Sequence, residues 1–368
     1  MSITLGGALQ ILQDLGNRPA ISFHEKLVSE YILHSFDQMG VEARCDPYGN
    51  IIARITGMTA GVPPLAFVAH MDHPGFEAIE LRGGMIVAEA RGGVPSSSFS
   101  NPVPVEVVST EGKRLKAKLA GIDGDPKDRR VLVNVQDATT VSLPASIVFE
   151  LPDFKRDGDL LRMRAADDLA GCAAILSVMQ DLANNPALGD VYGVFTRAEE
   201  VGLVGARVMA QEHSLPLDCL VVSLESSREL PGAILGSGPV IRVGDVTFTF
   251  SAEAEQVLHV AKQVLLAADP AYQIQRQLMS GGTCEASGFA AWGYATTGIA
   301  FPLGNYHNTT PEGGVDAEYI HADDFWGGIQ LIKQAAHSVA VRRSSPSWKR
   351  LQAVPSDLQQ RLLETAMG

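Results

Sequence analysis

Five short apolar runs, far apart along the chain, each break off at an acid or an imidazole, and this repetition narrows the possible folds more than any other feature. Leu65-Ala66-Phe67-Val68-Ala69 stops at His70, and the run at 160–164 gives way to Asp167-Asp168. The run at 191–195 leads through Thr196-Arg197-Ala198 to Glu199-Glu200, that at 219–224 stops at Glu225, and that at 294–301 is followed by Tyr306-His307. Continuous apolar runs of this length suit strands buried on both faces, the condition of a parallel sheet covered by helices. Helical periods at 3–16, 24–39, 169–182, 203–212, 252–268 and 322–341 supply that cover, with Gly40 as a stop for the second. In open α/β sheets, sites form beyond the carboxyl ends of the strands. His70, Asp167, Glu199, Glu200, Glu225 and His307 are therefore expected to meet in one crevice.

Taken singly, each has a plain structural reading. Glu199-Glu200 reads as a solvated turn, Asp167 or Asp168 as a helix N-cap, and either histidine as a hydrogen-bonded strand end. Taken together they read differently, because adjacent buried carboxylates require a cation or a shared proton. Two imidazoles and three carboxylates are the right number for two divalent cations sharing one carboxylate, with Glu199 left over as a base. The nitrogen and oxygen donor set favours zinc, with cobalt or manganese as alternatives.

From about 77 to 157 the helical period vanishes. Segments of β character at 85–90, 103–109, 114–119 and 146–151 alternate with Gly, Pro and Ser, and 91–104 and 121–130 read as exposed loops. This block is expected to be a small β domain inserted into the first. The formal net charge of −13 argues against nucleic acid and anionic membranes as partners. Cys45, Cys172, Cys219 and Cys284 lack metal or disulfide spacing. With no apolar run near the roughly 18 residues that span a bilayer, and no leader pattern, a cytoplasmic protein is expected.

The motifs resemble those of the M42 family of dinuclear metallo-aminopeptidases over roughly residues 3–342. Ala69-His70-Met71-Asp72 with Gly75-Phe76, Arg164-Ala165-Ala166-Asp167-Asp168 with Gly171-Cys172, Glu199-Glu200-Val201-Gly202-Leu203 with Gly205-Ala206, Gly281-Gly282-Thr283, and Tyr306-His307 carry the likeness. It implies an α/β fold: a zinc-peptidase-type three-layer catalytic domain formed by 1–76 and 158–343, an inserted β-barrel of the dimerisation type at 77–157, and a C-terminal tail at 344–368. It implies one metal on His70, Asp167 and Glu225 and another on Asp167, Glu200 and His307, with Asp72 orienting His70. Glu199 would be the general base on a metal-bridging water, acting on the N-terminal residues of peptides. Two divalent metal ions per chain and a homo-oligomer built on dimers, up to a dodecamer, follow from the same likeness. Three positions depart from the family pattern: His73-Pro74 stand where Glu is usual, which offers an extra imidazole, Glu225 replaces Asp, and Cys284 stands where Asp is common. A related deacylase or carboxypeptidase-type amidohydrolase and an inactive metal-binding scaffold share the ligand logic and stay open. An aromatic content of 6% gives no sign of a sugar cleft.

Overall fold

The computed structural model describes residues 3–100 and 102–366, so the outermost positions of the expected first domain and tail lie outside it. Helices α1 (Leu5–Gly16) and α2 (Lys26–Met39) open the chain, and Gly40 ends α2 in the left-handed conformation at φ 66°, which a glycine adopts without a Cβ clash. Strands β1 (Glu42–Cys45), β2 (Ile51–Ile55) and β3 (Leu65–His70) follow. The chain then leaves the sheet for a closed barrel of six antiparallel strands: β4 (Gly75–Arg82), β5 (Met85–Arg91), β6 (Pro104–Val108), β7 (Arg114–Ile122), β8 (Arg130–Val135) and β9 (Ala145–Phe149). Its interior is built from alternate residues such as Phe76, Ala78, Ile86, Ala88, Val131, Val133, Ile147 and Phe149, the period-two pattern of a filled small barrel.

The chain returns through β10 (Lys155–Asp157), β11 (Leu160–Met163), α3 (Ala166–Asn184), β12 (Val191–Thr196), α4 (Val204–Gln211), β13 (Leu220–Arg228), β14 (Val240–Arg242) and α5 (Ala252–Ala268). It closes with β15 (Gln275–Gln277), α6 (Glu285–Ala290), β16 (Ala295–Leu303), β17 (Glu318–His321), α7 (Ala322–Ser338), α8 (Pro346–Gln352) and α9 (Ser356–Glu364). The main sheet has the order β1-β2-β12-β3-β13-β16-β14-β15, and its four central strands β12, β3, β13 and β16 run parallel. Along β3, Leu65, Phe67 and Ala69 face a core shared with α1, α2, α3, α5 and α7, while Ala66 and Val68 face one shared with α4 and α6. That alternation makes the three layers. No helix among the described residues is long and apolar enough to cross a membrane.

Several local readings change. The run before Asp167, β11, pairs with β10 and β17 in a separate three-stranded sheet, so Asp167 reaches the crevice from the side rather than from the end of a main-sheet strand. Residues 155–157, assigned by sequence to the insert, pair there too. Strand β13 does not stop at Glu225 but continues beside β16 to Arg228, whereas its pairing with β3 ends at Ser223↔Val68. Two residues further on, at Glu225 and His70, the sheet has split, and the crevice opens in the gap.

Candidate metal centre

His70, the last residue of β3, is buried, and its Nδ1 lies 2.9 Å from the main-chain carbonyl of Asp72. Holding that edge of the ring points Nε2 into the crevice. There Nε2 lies 3.2 Å from Asp167 Oδ1, 3.3 Å from Glu225 Oε1 and 3.8 Å from Glu199 Oε2. On the far side, His307 Nε2 lies 3.3 Å from Glu200 Oε2 and 3.8 Å from Asp167 Oδ2. Asp167 therefore presents one oxygen to each imidazole. Burial opposes a charge on His70, but Glu199 and the hydrogen bonds to Asp167 and Glu225 outweigh it and hold this imidazole well above its usual range. Burial drives Asp167 up to about 7 and His307 down to about 3. Asp168 Oδ2 and Glu200 Oε1 are enclosed and accept no hydrogen bond. Enclosed carboxylate oxygens without donors, in a cluster with two imidazoles, fit divalent cations. The six side chains picked out in the sequence thus meet at one place.

The loop after β12 is held by two buried acids. Asp72 accepts the main-chain N–H groups of Glu199 at 2.9 Å and Glu200 at 3.2 Å, and the Ser22 hydroxyl at 2.6 Å. Its carboxylate stays 3.7 Å from His70 Nδ1, so the expected orienting of the imidazole falls to its carbonyl, while its side chain fixes the two glutamates. Glu25 accepts the N–H of Ala198 at 3.0 Å and Arg197 Nε at 2.8 Å. Both anchors are needed because Ala198 sits at φ 53°, a left-handed conformation that a residue with a Cβ resists.

The departures from the family pattern resolve as follows. His73 is no extra ligand: its Nε2 accepts the Ala20 N–H at 3.1 Å, its Nδ1 donates to the Pro74 carbonyl at 2.9 Å, and burial pushes it down to about 3. Glu225 reaches His70 from within β13, its Oε1 3.3 Å from Nε2. The N–H of Cys284 and the Ser287 hydroxyl donate to Asp245, at 3.0 and 2.6 Å, so a carboxylate still sits at the start of α6.

Sequence reading misses four contributors. Glu318 accepts the main-chain N–H of Asp167 at 3.0 Å and of His307 at 2.9 Å, one carboxylate oxygen for each. Gly92 and Gly93, in a stretch read as exposed loop, lie against Glu200 and the His307 ring, where a Cβ on Gly93 would overlap the imidazole. Buried Glu285 binds the Thr196 hydroxyl, and burial pushes its carboxyl up to about 8. For Glu318 the one signal is an acid inside an otherwise uncharged short strand; for Gly92-Gly93 it is a glycine pair just after a barrel strand.

The M42 glutamyl aminopeptidase family model matches residues 134–326, more than half of the chain. The chain belongs to the M42 family. A curated protein of Acetivibrio thermocellus, provisionally named an aminopeptidase, is 24% identical over 335 residues, covering 86% of this chain and 94% of its own. Among solved structures, the aminopeptidase of the archaeon Desulfurococcus kamchatkensis superposes with a TM-score of 0.75 at 21% identity, covering 95% of this chain and 99% of its own. The Pyrococcus horikoshii TET1 peptidase, described as assembling into a tetrahedron or a large octahedral shell, gives 0.74 at 23%, covering 89% and 99%. These likenesses place the M42 fold, barrel included, over nearly the whole chain.

Proposed function

We propose that this M42 protein is a two-metal aminopeptidase that removes N-terminal residues from peptides. The observation that carries this is Asp167, whose two oxygens face the two imidazoles at 3.2 and 3.8 Å. His70, Asp167 and Glu225 hold one divalent cation and Asp167, Glu200 and His307 the other, with zinc the best match to the donor set. When bound, the cations supply an acidified water and a polarised scissile carbonyl. Glu199, mostly buried beside the cluster and steadied by Asp72, accepts the proton of the attacking water. It then delivers that proton to the leaving amine, so the base of one step is the acid of the next. The free α-amine of the substrate binds near a metal or a carboxylate of the cluster, which restricts cleavage to chain ends. The barrel at 75–149 serves assembly of dimers and larger homo-oligomers, in keeping with the assemblies described for TET1.

Replacing Glu199 by Gln tests the assignment. Turnover of aminoacyl anilides falls by about 100- to 10,000-fold, while metal content stays near two per chain. Retained turnover removes Glu199 from the role, and activity confined to N-acyl amino acids moves the chain to the deacylase class.

A further inference from the structure

Two hollows meet at Glu199, and they differ in size. One, of about 70 Å³, is lined by Asp167, Glu225 and Ser227, and the other, of about 720 Å³, by Glu200, Leu203, Phe248 and Trp292. Tyr306 and His307 border both. An enzyme that cuts behind the first residue of a peptide needs such an asymmetry, because one residue lies on the amine side of the bond and all the rest on the other. Only the larger hollow has room for that remainder, and its size is that of a ligand cleft.

Folding leaves two aromatic rings uncovered in this cleft: Phe248 is 43% exposed and Trp292 44%. Single exposed apolar residues are ordinary, but two large rings lining one cleft that opens on the acid–imidazole cluster are not scattered. Both rings are held. Asp245, buried, accepts the main-chain N–H groups of Thr247 at 2.8 Å and Phe248 at 3.0 Å with one oxygen, and the Cys284 N–H and Ser287 hydroxyl with the other. The hydroxyls of Thr247 and Thr283 lie 2.6 Å apart, which ties the tip carrying Phe248 to a segment bordering the cluster. Trp292, just beyond α6, donates its N–H to the Phe289 carbonyl at 3.0 Å and stands edge-on to the His213 ring, 6.4 Å between centroids.

We propose that Phe248 and Trp292 are specificity-determining residues that bind the side chain of the substrate's second residue, the one that becomes the new N-terminus, and favour aromatic and large aliphatic side chains there. This rests on the aminopeptidase reading above, which puts the second residue on the leaving side of the bond. Rings with two rotatable bonds apiece, already fixed in place, offer apolar area at little cost in entropy.

The test uses tripeptides that share a first residue, that of the anilide turned over fastest, and a final glycine, with phenylalanine, leucine or alanine in second place. With the metal-loaded full chain, kcat/KM is expected to favour phenylalanine over alanine by about 10-fold or more. Trp292→Ala and Phe248→Ala each lower that ratio, Trp292→Phe keeps most of it, and Met58→Ala, at an exposed residue outside the cleft, leaves it unmoved. A wild-type ratio near one, or a loss in the ring variants that is equal for both peptides, overturns the proposal. Loss of the wild-type oligomer in Trp292→Ala, read by light scattering, together with an unchanged ratio, assigns the rings to contact with a second copy instead. If no peptide or anilide is turned over, the aminopeptidase reading fails by itself. Calorimetric binding of the dipeptides Phe-Gly and Ala-Gly to the metal-loaded protein then decides the cleft separately: equal affinities overturn it.

Discussion

Glu318 accepts the main-chain N–H of Asp167 at 3.0 Å, and so braces from behind the one residue that faces both imidazoles. With its other oxygen on the N–H of His307 at 2.9 Å, a single buried carboxylate spans two segments of the cluster 140 positions apart in the chain. Outer supports of this kind are commonly worth a factor of 10–100 in metal affinity. Glu318→Ala is expected to weaken the Asp167–Glu200–His307 site by roughly that factor, read by calorimetric zinc titration of the chelator-stripped protein. A binding isotherm identical to wild type contradicts the role.

Gly93 touches the His307 ring where no larger residue fits. Gly93→Ala displaces the imidazole and lowers turnover by about 10-fold or more, with the far-ultraviolet circular dichroism spectrum unchanged. The comparison variant is Gly61→Ala, at a glycine with open space around its Cβ direction and a φ of 82°. It costs some stability through backbone strain but spares turnover. Equal turnover losses in the two variants count against a specific contact.

The carboxyl of Glu285 titrates near 4.5 in the unfolded chain and about 8 in the folded one, because burial disfavours its charge. Between those values the folded state keeps a proton that the unfolded state has released, so this group lowers stability as pH rises from about 4.5 to about 8. The slope reaches at most about 1.4 kcal/mol per pH unit. Glu285→Gln removes the dependence. In urea unfolding of metal-free protein, the variant gains on the wild type as pH goes from 5 to 8; a constant difference across that range refutes the burial account.

Metal removal unites these effects. Stripping with a chelator abolishes turnover and leaves Asp167, Glu199, Glu200 and Glu225 crowded around His70 with too little counter-charge, so the melting temperature drops. Zinc at 100 times its dissociation constant restores about 2.7 kcal/mol per site, measured as a rise in melting temperature with zinc concentration. A melting point indifferent to zinc argues against a resident cation.

The strands of the sheet and the polar groups that end them were legible in the sequence because each strand with its end lies within one short window. An apolar run such as Leu65-Ala66-Phe67-Val68-Ala69 reads as a doubly covered strand, and a polar residue that ends it is expected at the carboxyl end of the sheet. The helix at Ala252–Ala268 was readable to its ends for the same local reason, its Ser251 cap and apolar spacing lying within one window. What depends on distant contacts was not readable. Whether β13 ends at Glu225 is decided by its neighbour β16, 75 positions later, which keeps pairing with it to Arg228. The burial of Gly92 is decided by Glu200, and the bracing of Asp167 by Glu318, each more than 100 positions away along the chain. His73 misled in the opposite direction: an imidazole three residues from His70 invites a ligand role, and only the Ala20 N–H shows both its nitrogens to be taken.

The glycine pair that follows β5 makes the barrel a structural part of the acid–imidazole cluster and not a detachable accessory. Chimeras that graft a relative's barrel onto this sheet must carry over the β5–β6 turn intact. An oligomer contact that twists the barrel would be transmitted through that turn to His307, giving assembly a direct mechanical route to the rate of each subunit.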